Sequence, residues 1–139
     1  MHGITNEDVA DAPNFDEIAD DVLIWIEDAA IVGHNVKVDL EALKRVLPHW
    51  KPRAAIDTLK LAKAIKPGLP SYGLSNLSEV LGITLKIEAD FRTGSHSAPY
   101  DVALTVALFR VLLSSVPEAV RSAVLADADI VERQKDLLL

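Results

Sequence analysis

Hydrophobic residues in the first third of the chain recur with the spacing of a helix and then of a strand. In Phe15–Glu27 the apolar side chains follow the i, i+3, i+4, i+7 pattern, which predicts a helix. Asn14, with Glu17 three residues later, is a candidate capping pair for that helix. The short apolar run Ala29–Val32, which Gly33 ends, predicts a buried strand.

The next segment repeats the alternation of helix and strand. A second helix is predicted over Asp39–Leu47, and Pro48 stops it. Ala54–Ile56 is a weak second strand, after which Asp57 or Thr58 can cap a third helix. Because strand, helix, strand and helix follow one another, we expect a βαβ-type unit with parallel strands.

The C-terminal half is predicted to be helical apart from one loop-rich stretch. A short helix ends near Gly82, and residues 83–99 have the composition of a loop. Residues 101–113 are almost all apolar, which predicts a central, buried helix. A capping box from Ser115 to Glu118 is expected to open a last helix toward Lys135, either a peripheral arm or a connection to another part.

Composition narrows the class of protein. The chain has 139 residues, which suits one domain, and 50% of them are hydrophobic, enough for a sizeable core. Cysteine is absent, which excludes disulfides and thiolate metal sites. No apolar run approaches the roughly 18 residues of a membrane helix, and the N-terminus lacks the pattern of a signal peptide. We therefore expect a cytoplasmic protein without membrane contact.

Charge is unevenly distributed. The net charge is −7, which argues against a general electrostatic attraction to nucleic acid. From Lys44 to Lys66, however, seven basic residues accompany the single acid Asp57. These residues either form a face that receives a polyanion or are solvated helix surfaces, and charge alone favours the second alternative.

Two polar clusters could carry chemistry. The first, Gly33–Asp39, joins a strand end to a helix start, where sites form in open α/β sheets. The second runs from His96 to Asp101, at the head of the apolar helix. A carboxylate beside an apolar helix is costly unless it is paired or bound to a cation. The alternative for both Asp39 and Asp101 is that each only caps its helix.

Together the clusters resemble the second and third motifs of the DEDDh exonucleases, a family with the ribonuclease H-like fold that includes the proofreading subunit of bacterial DNA polymerase III. Residues 34–39 are similar to His-Asn-x-x-Phe-Asp, with Val38 in place of the aromatic residue. His96 followed five residues later by Asp101 is similar to the third motif. The resemblance extends over roughly residues 2–113 and includes the segments around Asp57 and Tyr72.

The resemblance implies a metal-dependent 3′–5′ exonuclease that hydrolyses the terminal phosphodiester of DNA or RNA at a single-stranded 3′ end. Asp39 and Asp101 would be two of four carboxylates that hold two Mg²⁺ or Mn²⁺ ions. His96 would be the general base on the attacking water. His34 and Asn35 would shape the turn and contact the terminal nucleotide.

One motif of the family has no counterpart. The Asp-x-Glu of the first strand is absent before His34, so the resemblance implies a helix-rich α/β, ribonuclease H-like fold, N-terminally truncated, without its first three strands. We expect a partial exonuclease domain over residues 1–113 and a helical extension over 114–139. A second copy of the chain could cover the open sheet. The alternatives are a non-catalytic nucleic-acid-binding or protein-interaction module derived from this fold, and a helical interaction domain with coincidental motifs.

Overall fold

A computed structural model describes residues 5–83 and 98–131. Its elements alternate as the hydrophobic pattern predicts, and helices predominate. In chain order they are α1 (Phe15–Ile26), β1 (Ala30–Gly33), α2 (Lys37–Val46), β2 (Ala54–Asp57), α3 (Thr58–Ile65), α4 (Leu74–Val80), α5 (Ala98–Ser114) and α6 (Glu118–Ala128). The backbone amide of Asn14 donates to the Glu17 carboxylate at 2.7 Å, which confirms the predicted capping pair of α1.

The two strands form a parallel pair, as the βαβ order predicts. Ala30 lies opposite Ala54 and Gly33 opposite Asp57. The expectation that β1 is a buried strand is wrong, because Ala30 is exposed and Val32 is 37% exposed. Within the described residues β1 pairs with β2 alone, so its other edge has no neighbouring strand.

The sheet separates two clusters of buried side chains. Ala55 of β2 faces a cluster with residues of α1 and α2, and Ile56 faces a larger cluster formed by α3, α4, α5 and α6. Adjacent strand residues point to opposite faces, so one short strand serves both clusters. In α5, Leu104, Leu108 and Leu112 are at most 1% exposed, which confirms a central helix.

The last helix is part of this packing. It ends at Ala128, where Asp129 bridges to Ile56 and its carboxylate accepts the Ala55 amide at 2.9 Å. Ile130 and Val131 are again helical, and the predicted end toward Lys135 lies outside the described residues. Asp129 therefore closes the edge of β2 that does not face β1. The predicted capping box is wrong: Pro117 precedes the first turn, and the Ser115 hydroxyl donates backward to Leu112.

The helix α6 is thus no peripheral arm in the described part of the chain. Val124, Leu125 and Ala128 join the larger cluster, while Ile130 and Val131 pack against the smaller one. The division into residues 1–113 and 114–139 stays a prediction. None of the described helices has the length and apolar character needed to cross a membrane.

Candidate active site

A cleft of about 630 Å³ opens where the C-terminal end of β1 meets the first half of α5. Asp39 and Asp101, far apart in the sequence, both line it, as does His34. The remaining wall is mostly apolar and comes from β1, α4 and α5: Val32, Gly33, Leu74, Ala98, Val102, Thr105, Val106, Phe109 and Arg110. The fold therefore brings together two of the predicted acids at the end of the sheet where such sites form.

Asp39 lies in the first turn of α2 and does not cap that helix. The residue before the first turn is Val36, and no side chain caps α2 by a hydrogen bond. Gly33 makes room for the Asp39 carboxylate at the end of β1. A methyl group at Gly33 would lie 2.8 Å from Val36 Cγ2 and 3.2 Å from Asp39 Oδ2. The capping alternative is therefore wrong for Asp39.

The environment of Asp39 disfavours its charged form. Partial desolvation raises the pKa of the Asp39 carboxyl, and the negative charge of Asp57 raises it further, against a hydrogen bond from the backbone amide of Asp39 itself. No basic side chain pairs with Asp39 among the described ion pairs. A carboxylate held in this way favours either a proton or a cation, which is the property a metal ligand needs.

Asp57 holds the turn that carries the first cluster. It is 4% exposed, and one carboxylate oxygen accepts both the Asn35 and the Leu59 amides at 2.9 Å. The Leu59 bond caps α3, which confirms the cap predicted at this position. The Asn35 bond fixes a residue with φ +59°, in the left-handed region that asparagine tolerates better than most residues. Asp57 thereby connects the ends of the two strands.

His34 has both ring nitrogens engaged. Nε2 lies 2.8 Å from the Tyr72 carbonyl, and Nδ1 lies 2.9 Å from the Thr58 hydroxyl. Because a carbonyl only accepts, Nε2 must carry a proton. The Thr58 hydroxyl also lies 3.2 Å from the Gly33 carbonyl. His34 therefore lines the cleft with its ring while its nitrogens hold other parts of the protein.

Asp101 lies in the first turn of α5, which begins at Ala98 rather than at Asp101. Its backbone carbonyl accepts the Thr105 hydroxyl at 2.8 Å, and its side chain is partly buried. Thr105 and Phe109 follow Asp101 at intervals of four residues, so one stripe of α5 faces the cleft.

The acids in the cleft fit part of a site for a hard cation. Carboxylate oxygens are the ligands that Mg²⁺ and Mn²⁺ prefer, and Asp39 and Asp101 supply two such groups. No group of three or more potential metal-ligating side chains occurs within residues 5–83 and 98–131. The prediction for His96 lies outside the described residues.

Comparison with known proteins identifies the family. The RNase T exonuclease family model matches residues 1–109. The chain belongs to this exonuclease family. The match agrees with the helix-rich α/β structure and with the ribonuclease H-like exonuclease fold that the motifs imply.

Named relatives of this chain are much longer proteins. It is similar to "3'-5' exonuclease DinG" of Staphylococcus aureus strains MRSA252 and USA300, at 36% identity over 101 residues in each case. The aligned part covers 70% of this chain and 10% of each relative, so the chain corresponds to a small part of their length. No solved structure matches the chain.

Several residues in or beside the cleft were not predicted as site residues. Asp57, which holds the turn beside the cleft, was interpreted as a candidate helix cap and as part of a segment that resembles the family, and Gly33 was the strand end that opens the first polar cluster. Leu74 and Arg110 also line the cleft, and no chemical feature of the sequence singles them out. The four-residue spacing from Asp101 through Thr105 would have identified the cleft-facing stripe of α5 once Asp101 was chosen.

Proposed function

We propose that this chain forms part of a metal-dependent 3′–5′ exonuclease domain, without a counterpart of the family's Asp-x-Glu motif, which acts on phosphodiester bonds at single-stranded 3′ ends of DNA or RNA. The observation that carries the proposal is the convergence of Asp39 and Asp101 on one cleft. Family membership and the likeness to proteins named 3′–5′ exonucleases support the reaction class.

Asp39 and Asp101 would hold Mg²⁺ or Mn²⁺ in the cleft that both residues line. Two such ions activate water and stabilise the leaving oxygen in phosphodiester hydrolysis when they are bound. Asp39 is exposed in part, so a cation held by its carboxylate would be accessible to a substrate phosphate. The raised pKa of Asp39 supports this role, because a cation would offset the partial desolvation of the carboxylate and the repulsion from Asp57.

The remaining roles follow from position and from the motif. His96 would accept a proton from the attacking water, as the third motif of the family implies. Asn35 projects from the turn after β1 and is exposed, so its amide would contact the terminal nucleotide. His34 would contact that nucleotide through its ring, because its nitrogens are engaged elsewhere.

A second candidate is a non-catalytic module that retains the fold. The observation that favours it is the number of acids: two carboxylates line the described cleft, and two cations need more anionic ligands than that. Nuclease assays on labelled single strands, with Mg²⁺ and with Mn²⁺, separate the two candidates.

The sharper experiment restores the missing acids. A peptide with the Asp-x-Glu pattern in an apolar, strand-forming context would be added to the chain in trans. We expect weak cleavage by the chain alone and clear cleavage with the peptide, and no effect from a matched peptide with Asn-x-Gln. Asp101→Asn should abolish the restored cleavage, because an amide cannot supply an anionic ligand.

Two results would overturn the proposal. One is strong 3′–5′ degradation by the chain alone that persists after Asp101→Asn, since neither the missing acids nor Asp101 would then matter. The other is restored cleavage that starts inside the strand rather than at its 3′ end.

A further inference from the structure

His34 stands at the junction of three segments that are distant in the sequence. It follows β1 directly, its Nδ1 contacts Thr58 at the start of α3, and its Nε2 contacts the backbone of Tyr72 before α4. Both contacts are shorter than 3 Å, and the side chain is partly buried.

The segment that His34 reaches is residues 66–73, the connection between α3 and α4. It is organised by its own side chains: the Tyr72 hydroxyl donates to the Lys66 carbonyl at 2.8 Å and accepts the Leu69 amide at 3.2 Å. The Asn76 amide donates to the Ser71 carbonyl at 2.8 Å. The segment is therefore a compact loop whose shape does not depend on the sheet.

Packing and one hydrogen bond attach this loop to the rest of the protein. Leu69 and Tyr72 pack against the core, which holds the loop without fixing its direction. The directional contact to the end of β1 is the hydrogen bond from His34 Nε2 to the Tyr72 carbonyl. Leu74 comes two residues after Tyr72 and lines the cleft beside Asp39 and Asp101.

We propose that His34 is a positioning residue that fastens the 66–73 loop to the end of β1 and thereby holds Leu74 in the wall of the cleft. Its nitrogens then serve the shape of the site rather than proton transfer or metal binding, since neither nitrogen is free in the tautomer that the Tyr72 carbonyl requires. The consequence for nucleotide binding rests on the proposed exonuclease function, whereas the attachment itself does not.

Hydrogen–deuterium exchange tests the attachment. In His34→Ala, we expect the amides of residues 66–74 to exchange about fivefold to tenfold faster, the factor that corresponds to one lost hydrogen bond. Peptides from α6 should be unchanged. His34→Gln keeps an amide donor for the Tyr72 carbonyl and should restore slow exchange. His49→Gln, at an exposed histidine, is the matched control.

A second measurement addresses function. Titration of a nucleoside 5′-monophosphate in the presence of Mn²⁺ should show about fivefold to tenfold weaker binding in His34→Ala. His34→Gln keeps the donor to the Tyr72 carbonyl but loses the ring, so it should bind more tightly than His34→Ala and more weakly than the original chain, whereas a residue that acts only through an imidazole proton would give equal losses in both variants.

Three results of the exchange measurement would overturn the proposal. Unchanged exchange of residues 66–74 in His34→Ala overturns the proposal, and so does faster exchange spread equally over α6, which would indicate general destabilisation. Failure of His34→Gln to restore slow exchange also overturns it. If the original chain does not bind the nucleotide even with the Asp-x-Glu peptide present, the proposed exonuclease function fails while the exchange result still decides the role of His34.

Discussion

Replacing Asp57 by alanine tests how the two strand ends are held together. The change removes one oxygen that accepts two amides, those of Asn35 and Leu59. Loss of a helix cap costs about 0.5–2 kcal/mol, and the second hydrogen bond contributes about 1 kcal/mol. Because Asn35 is exposed, water can replace the lost acceptor there. We therefore expect Asp57→Ala to lower the free energy of unfolding by about 2 kcal/mol, and Asp57→Asn, which keeps an uncharged acceptor, by about half of that.

Asp57→Ala should also change the pKa of the Asp39 carboxyl. Partial desolvation is the main cause of the raised pKa of Asp39, and the negative charge of Asp57 adds to it, so removal of that charge should lower the pKa by part of the shift. An NMR titration of the Asp39 carboxyl carbon measures the pKa. Stability and titration thus report on one residue through two independent physical effects.

Urea denaturation followed by tryptophan fluorescence measures the stability. Trp50 is 7% exposed and reports on unfolding, whereas Trp25 is 83% exposed, so a Trp25→Phe background gives a clean signal. Asp127→Ala, at an exposed acid of α6, is the control and should stay within about 0.5 kcal/mol of the parent. If Asp57→Ala behaves like Asp127→Ala and leaves the Asp39 pKa unchanged, the role given to Asp57 is refuted.

Three further predictions concern the cleft. Gly33→Ala should weaken Mn²⁺ binding measured by calorimetry, because the new methyl group would lie 3.2 Å from Asp39 Oδ2; unchanged affinity would contradict the close contact. Asp39→Asn should stabilise the metal-free chain by a few tenths of a kcal/mol at neutral pH, since the exposed carboxylate is screened. The folded pKa of Asp39 is raised, so this gain should be present above that pKa and vanish as the pH falls below 3.8; a gain that persists at lower pH would have another cause. The chain should self-associate in light scattering through the open edge of β1 and the exposed Val102 and Val106, and Val106→Lys should reduce association more than Val120→Lys on α6, whereas a monomer at all concentrations would contradict this.

The helices and strands could be predicted because the spacing of hydrophobic residues involves only residues that are close in the sequence. The spacing in α1 and the apolar run of α5 predicted helices that the structure confirms, and the order of elements predicted the parallel pairing. The boundaries differ by a few residues from those predicted. Asp39 and Asp101 lie inside their helices, two and three residues after Lys37 and Ala98.

The long-range polar contacts were not predictable from pattern. Asp129 bonds to Ala55 across 74 residues, and His34 bonds to Tyr72 across 38. A hydrophobic period shows which face of an element is buried, but it does not show which polar partner meets that face. The error about α6 has this origin: its weak apolar stripe suggested a peripheral helix, whereas Asp129 attaches the following residues to β2.

Within residues 5–83 and 98–131, the open edge of β1 and a set of only two carboxylates occur at one cleft. The unpaired edge and the exposed valines of α5 need an apolar strand beside β1, and the acids Asp39 and Asp101 at its end need further anionic ligands to hold two cations. One strand that carries both apolar side chains and Asp-x-Glu would satisfy both needs.

Binding of that strand and binding of Mn²⁺ must then be coupled, and thermodynamic linkage requires the coupling to be reciprocal. The factor by which the peptide tightens Mn²⁺ binding should therefore equal the factor by which Mn²⁺ tightens peptide binding. Calorimetry in both orders of addition measures the two factors. A peptide that binds equally well with and without Mn²⁺ would show that the edge and the carboxylates are separate features.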